Sequence, residues 1–258
     1  MSDGAITLRR DGAVAILTID RPEKRNAMTV AMLQQLWEHT AVIEKDDSIR
    51  AVVLTGAGDK AFSAGGDLTE LLPRLTEQGD DSLITPEPSV RFFSKVYKPM
   101  IAAVNGLCVA GGFELMLGTD IRIASSEAVF GLAEVKWGII PAAGSIIRLP
   151  RQIPWVSAMQ LILTGDTIDA TRAREIGLVN EVVAREAVLD RALEVAHRIA
   201  RNGPVAVQTA KRIAVDSLEL EGPFRLESAL NRIVLNSDDI RTGLAAFAER
   251  RDPEFEGH

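Results

Sequence analysis

Three short runs, Ala51-Val52-Val53-Leu54-Thr55, Ile101-Ala102-Ala103-Val104 and Ile121-Arg122-Ile123-Ala124, are nearly unbroken in apolar residues. A strand with one wet face alternates polar with apolar positions, so runs without alternation read as strands buried on both faces. The first two stop at Gly56 and Asn105-Gly106, and helical patterns separate all three. Strands alternating with helices place parallel neighbours in one sheet with helices laid over it, which makes the fold class α/β. Upstream, Ile6–Arg9 and Val14–Ile19 flank Asp11-Gly12, the signature of an N-terminal hairpin. Met28, Leu33, Leu36 and Trp37 recur at helical spacing to about Ile43, with Thr29 as the predicted N-cap. The polar, proline-bearing segment Pro73–Pro88 reads either as a mobile excursion near a site or as a surface loop. Beyond residue 186 strand signals end. Val188, Leu189, Ala192, Leu193, Ala196 and Ile199 form one helical stripe, and after Gly203-Pro204 three more helical segments are predicted around Ala206–Leu218, Phe224–Leu235 and Ile240–Phe247. The chain thus divides into an α/β body, residues 1–195, and a helical tail, residues 196–258.

Composition excludes several classes of function. The lone cysteine, Cys108, rules out an intrachain disulfide, and its apolar neighbours Leu107 and Val109 mark it as a buried small side chain in a reducing compartment. A formal charge of −7 sets a field that repels phosphate backbones, so no nucleic-acid partner is expected. No run approaches the roughly 18 apolar residues of a membrane span, and Met1-Ser2-Asp3-Gly4 leads straight into a strand pattern without a leader. The expectation is a cytoplasmic protein without a membrane partner. His39 and His197 lie on helical patterns and His258 at the terminus, away from the glycine loops, which leaves Ser-His and Cys-His schemes without support. No clustered His, Cys or carboxylate spacing suggests a metal.

Four glycine or carboxylate motifs remain. Gly56-Ala57-Gly58-Asp59-Lys60-Ala61 matches the glycine fingerprint of dinucleotide sites, but Gly65-Gly66 falls where the phosphate-binding helix should already run. In Ser63-Ala64-Gly65-Gly66-Asp67-Leu68 the paired glycines let backbone approach a ligand, and Asp67 is placed to cap a helix starting at Leu68; the N–H of Gly66 would be open to an oxyanion. Gly111-Gly112-Phe113-Glu114 follows the strand ending at Val104, where a strand-to-helix junction frees N–H groups and the helix dipole favours negative charge. Glu114, among Phe113, Leu115 and Met116, is either a first-turn acid or a buried functional one. Glu134, in Phe130-Gly131-Leu132-Ala133-Glu134-Val135, is a single acid in an apolar stretch. Either its pKa is raised for acid–base work, or it pairs with Lys136 or Arg122.

Taken in order, these residues resemble the crotonase superfamily, the enoyl-CoA hydratase/isomerase family, over nearly the whole chain. The likeness runs from Arg21-Pro22-Glu23-Lys24-Arg25-Asn26-Ala27-Met28 through Ala61–Asp67, Lys98–Gly106, Gly111–Leu115 and Thr164–Asn180 to Ala246–Arg251. The resemblance implies a spiral of ββα units with a helical C-terminal trimerisation region, assembled as a homotrimer or homohexamer. It implies an acyl-CoA thioester substrate, with coenzyme A part of that substrate and no separate cofactor. By that likeness Gly66 and Gly111 form an oxyanion hole, Glu114 and Glu134 are the catalytic pair, and Arg25, Ala27, Ala64, Asp67 and Leu68 contact CoA. Carboxylates at both acid positions point to hydration of a 2,3-enoyl-CoA, with Δ3-Δ2 isomerisation or carnitinyl-CoA dehydration as the alternatives on the same site. The chain departs from the common hydratase pattern at Ala142-Ala143-Gly144-Ser145, where relatives often show Gly-Ala-Gly-Gly, and at Trp137, bulkier than the usual aliphatic residue. In this segment, Trp137–Pro150, it looks more like branches that include carnitinyl-CoA dehydratases.

Overall fold

The computed structural model describes residues 4–79, 81–85 and 87–257, so the readings made on Met1–Asp3, Pro86 and His258 lie outside the described residues. The N-terminal hairpin is present: β1 (Ala5–Asp11) and β2 (Val14–Asp20) pair antiparallel around Gly12-Ala13. Helix α1 (Val30–Lys45) begins as predicted, the Thr29 hydroxyl accepting from the Met32 N–H at 3.2 Å. Then comes a repeated step, in which a longer strand is followed by a three-residue strand and a helix or helical turn. The first is β3 (Ala51–Gly56), β4 (Ala61–Ser63) and α2 (Leu71–Gln78). The second is β5 (Met100–Val104), β6 (Leu107–Val109) and α3 (Gly111–Leu117), and the third is β7 (Ile121–Ser125), β8 (Val129–Gly131) and a 3₁₀ turn at Glu134–Trp137. This is the spiral of ββα units.

Further helices α4 (Ser145–Gln152), α5 (Trp155–Thr164) and α6 (Ala170–Glu175) follow, with short strands β9 (Thr167–Asp169) and β10 (Glu181–Val183) between and after the last two. The tail comprises α7 (Val188–Ala200), α8 (Pro204–Asp216), α9 (Glu221–Leu235) and α10 (Asp238–Glu249). Among the described residues the strands form two sheets. The larger has the order β1-β2-β3-β5-β7-β10, parallel from β2 onward, and the smaller β4-β6-β8-β9, parallel except at β9. The three-residue strands escaped the sequence reading because three positions carry no period.

Both faces of the larger sheet are covered, which is why its strands are apolar throughout. Val53, Ile101 and Ile123 face α7, packing on Val188, Ala192 and Ala196, while Val52, Leu54 and Ala102 face the main core. Helix α7 stays on the sheet as far as Ala200, so the 195/196 division cuts through an element of the body. The dinucleotide alternative fails locally, since strand β4 and not a helix follows Gly56–Lys60. Part of the Pro73–Pro88 segment is helical: α2 carries Pro73 in its first turn, where a missing N–H costs little.

Candidate active site

The smaller sheet presents its strand ends to one cavity. Past β4 the chain turns through Ala64-Gly65-Gly66-Asp67, held on one side by Met28, whose N–H donates to Gly65 O at 2.8 Å and whose carbonyl accepts from Asp67 N–H at 2.8 Å. Ala64 N–H donates to Arg25 O at 2.9 Å. Gly65 sits at φ +97°, a conformation that side chains disfavour, and a Cβ there would lie 2.9 Å from Gly111 N. This leaves the Gly66 N–H without an acceptor among the described residues.

The second donor is built by strain. Ala110, after β6, is held at φ +50° and ψ −131°, a backbone state that costs a non-glycine residue on the order of 1–3 kcal/mol. It turns the chain so that Gly111 opens α3 directly over the Gly65-Gly66 peptide, and a Cβ built on Gly111 would lie 3.3 Å from Gly66 N. The first N–H groups of a helix have no internal acceptor. Gly66 and Gly111 therefore offer two N–H groups to the same space, a cavity of about 270 Å³ that both line.

Glu114 and Glu134 line that cavity too, 7 % and 8 % exposed. Glu114 stands in the first turn of α3, and its Oε1 accepts from the Ser145 hydroxyl at 3.1 Å. Burial drives its pKa well above the carboxylate range, the charges of Glu134 and Glu227 adding to the effect; hydrogen bonds from Ser145 and the Ala142 N–H oppose it. Glu134 begins the 3₁₀ turn after β8, and burial pushes its pKa up to about 7. Its Oε2 is buried without a hydrogen-bond partner among the described residues. The ion-pair alternative for Glu134 is not found. Lys136 pairs with Asp166 at 3.4 Å, and the Arg122 guanidinium donates to Gln152 and to backbone carbonyls of Met116, Leu117, Thr119 and Leu178.

Of the other residues singled out from sequence, Ala64, Asp67 and Leu68 line the cavity mouth, while Arg25 and Ala27 do not. Arg25 is exposed and borders a separate depression with Glu23, Asp59 and Lys60, and Ala27 contributes its carbonyl to Arg21 Nη1 at 3.1 Å. Asp67 does not cap a helix at Leu68. Its Oδ1 accepts from Thr69 N–H and hydroxyl, its Oδ2 from Arg21 Nη1 at 2.6 Å, and α2 starts only at Leu71. Burial would raise the Asp67 pKa, but those hydrogen bonds outweigh it and hold the carboxyl at about 2. Neither His39 nor His197 is near: one bonds Ile6 O, the other Asp11.

The sequence reading missed the supports behind the cavity. Asn26 knits the Arg25 loop to β4, accepting from Arg21 N–H and donating to Ala57 O and Ala61 O. Glu227 of α9 takes a hydrogen bond from the Gly144 N–H at 2.9 Å and another from fully buried Arg91 Nε at 2.7 Å. It thereby fixes the loop that carries Ser145. The Asn26 signal was present in the quoted motif; the Glu227 contact spans 83 residues, and no local pattern announces it.

Comparison with known proteins places the chain in a family. The family model described as enoyl-CoA hydratase/isomerase matches residues 9–258. The chain is 39 % identical to enoyl-CoA hydratase EchA19 of Mycobacterium tuberculosis, over 96 % of this chain and 95 % of that one. It is 38 % identical to the short-chain-enoyl-CoA hydratase of Clostridium acetobutylicum, over 96 % of each. The solved structure of a carnitinyl-CoA dehydratase from Mycobacterium avium superimposes with a TM-score of 0.87 at 39 % identity, covering 98 % of this chain and 99 % of that one. The spiral fold, a match along nearly its full length and these similarities together make the chain a member of the enoyl-CoA hydratase/isomerase family.

Proposed function

We propose that this enzyme is an enoyl-CoA hydratase that adds water reversibly across the 2,3-double bond of a 2-enoyl-CoA thioester. The observation that carries the reading is that two buried carboxyls, Glu114 and Glu134, whose pKa values burial raises, line one apolar cavity together with Gly66 and Gly111, whose backbone N–H groups have no acceptor among the described residues. Similarity to the hydratases of M. tuberculosis and C. acetobutylicum supports it.

In this reading the thioester carbonyl oxygen lies between the N–H groups of Gly66 and Gly111. The carboxylate of the pair draws a proton from water as its oxygen bonds to C3, charge gathers on the thioester oxygen as an enolate, and the protonated partner delivers its proton to C2. Two coupled buried acids lose their protons in two steps, the second ionisation opposed by the first, so that one can stand as base while the other keeps its proton. That supplies the base and the acid together. Donors preorganised on a developing oxyanion are worth about 3–4 kcal/mol each, and proton transfer adds on the order of 10²–10⁴-fold. Coenzyme A enters as part of the substrate, and the step uses only protein groups and water. Ala64, Asp67 and Leu68, which line the cavity, contact the CoA portion near the thioester, and Arg25 and Ala27, outside the cavity lining, are assigned to CoA by the family resemblance alone.

The tail is read as an assembly region. Val205 and Ile213 of α8 and Leu226, Leu230 and Ile233 of α9 are all at least half exposed, more apolar surface than a monomer usually leaves to water. A homotrimer or homohexamer would cover it. No helix among the described residues is long and apolar enough to cross a membrane, and a cytoplasmic location is part of the proposal. The negative net charge argues against nucleic acid as a partner.

A carnitinyl-type dehydratase is the second reading, favoured by the M. avium structure and by the Ala142–Ser145 and Trp137 departures. Crotonyl-CoA, crotonobetainyl-CoA and a 3-enoyl-CoA, offered in parallel while enoyl absorbance and solvent deuterium uptake are followed, separate hydration, dehydration and isomerisation. Turnover of the 3-enoyl-CoA alone would overturn the hydratase reading.

A further inference from the structure

Helix α9 turns Phe224, Glu227, Ser228, Asn231 and Leu235 inward. The two polar residues nearest its start are engaged: Glu227 with Arg91 and Gly144, and Ser228 Oγ with Arg91 Nη2 at 2.9 Å and Asp81 Oδ2 at 3.0 Å. One turn further, Asn231 lines the same cavity as Glu114 and Glu134, with Leu235 after it. It is 5 % exposed, and its carboxamide hydrogen-bonds to no described residue. The side chain is mostly covered, yet its carboxamide is not among the buried polar atoms that lack a partner, so it opens onto the cavity, where a molecule from outside the chain can reach it. Around it the cavity is aliphatic and aromatic, with Leu75, Ile84, Phe92 and Ile139 among its walls.

Among the described residues, the charged ones lining the cavity are Asp67, Glu114 and Glu134, and neither lysine nor arginine lines it. A carboxylate on the acyl chain would find no countercharge there, whereas a carboxamide both donates to and accepts from a neutral oxygen. Building on the acyl-CoA reading above, we infer that Asn231 is a specificity residue of the acyl pocket. The preferred substrates carry a neutral hydrogen-bonding oxygen, hydroxyl or carbonyl, on the acyl chain beyond the reacting double bond. A site built around a hydrogen bond rejects the analogue that lacks the partner far more strongly than an apolar wall rejects a missing methylene.

The test is calorimetric binding of saturated acyl-CoAs of six to ten carbons in matched sets, ending in methyl, hydroxyl or carboxylate, to the wild-type protein and to Asn231→Leu. The expected result is a preference of the wild type for some hydroxyl-bearing chain over its methyl partner of at least about tenfold, with the carboxylate weakest. Asn231→Leu should bring that ratio to one or invert it. A wild-type ratio of one or below at every length overturns the inference without recourse to the variant, as does a ratio that Asn231→Leu leaves unchanged. Crotonyl-CoA hydration, measured on the same wild-type preparation, fails or succeeds separately, so loss of the hydratase reading is distinguished from loss of the Asn231 assignment.

Discussion

Alanine placed at Gly111 and at Gly66 should have unequal consequences, although each glycine lends one backbone N–H to the same cavity. At Gly111 the new methyl would stand 3.3 Å from both Gly65 Cα and Gly66 N, against backbone that Met28 pins on either side. It can be relieved only by parting the two peptides, which withdraws both donors from one oxyanion. At Gly66 the methyl would meet Leu71 Cδ2 at 2.6 Å, the far end of a side chain that can rotate away. Loss of a single preorganised donor costs about 3 kcal/mol of transition-state stabilisation, or 10²–10³ in kcat. Gly111→Ala should therefore lower kcat by at least about 10²-fold, with Gly111→Val lower still, while Gly66→Ala keeps activity within about tenfold of wild type. Steady-state kinetics with crotonyl-CoA, alongside the Kd of a saturated acyl-CoA, separates turnover from binding, and Kd should change little in either variant. A folded Gly111→Ala protein with undiminished kcat, or a Gly66→Ala variant the more damaged of the two, would refute the reasoning.

Removing the Ser145 hydroxyl deprives Glu114 of a hydrogen bond that favours its ionised form. Ser145→Ala should lower kcat about tenfold with KM nearly unchanged and shift the acidic limb of the pH–rate profile upward; an unmoved limb would detach Ser145 from the mechanism. Glu134→Gln should stabilise the fold at alkaline pH. A carboxyl whose folded pKa is raised from 4.5 to about 7 binds its proton more tightly in the folded state. Its stabilising effect is complete below the unfolded pKa and is lost as pH rises through 7, so the neutral glutamine gains up to about 3 kcal/mol at pH 8 and little at pH 4. Melting temperatures of the two proteins across that range should diverge upward with pH, and parallel curves would contradict the assignment. Light scattering at micromolar protein should give three or six times the mass of one chain, 27.9 kDa, and a single-chain mass would reject the assembly reading.

What the sequence made legible was local. The apolar runs of β3, β5 and β7, the Asp11-Gly12 hairpin and the Thr29 cap each announce themselves within a few residues, as does Glu114 one turn into α3. The helix expected at Leu68 was misplaced because Asp67 looked like a cap, whereas its carboxylate is drawn off by Arg21, 46 residues away in the chain. Ser145 was visible only as a departure from a motif. Its bond to Glu114 spans 31 residues, and the Arg91–Glu227 pair that steadies its loop spans 136. Such contacts depend on how the spiral closes, and no periodicity encodes them. The same holds for Asn231, which in sequence is one more polar position on an amphipathic helix.

Glu114→Gln and Glu134→Gln bear most directly on the central claim. Gln keeps the shape of each side chain and removes its ability to trade a proton. Hydration of crotonyl-CoA, followed as loss of enoyl absorbance with solvent deuterium appearing at C2, should proceed in the wild type and fall by about 10²-fold or more in each variant, the scale of general acid–base catalysis. Binding of a saturated acyl-CoA should persist in both. Retention of more than about a tenth of wild-type activity by either variant would contradict an essential acid–base role for that glutamate.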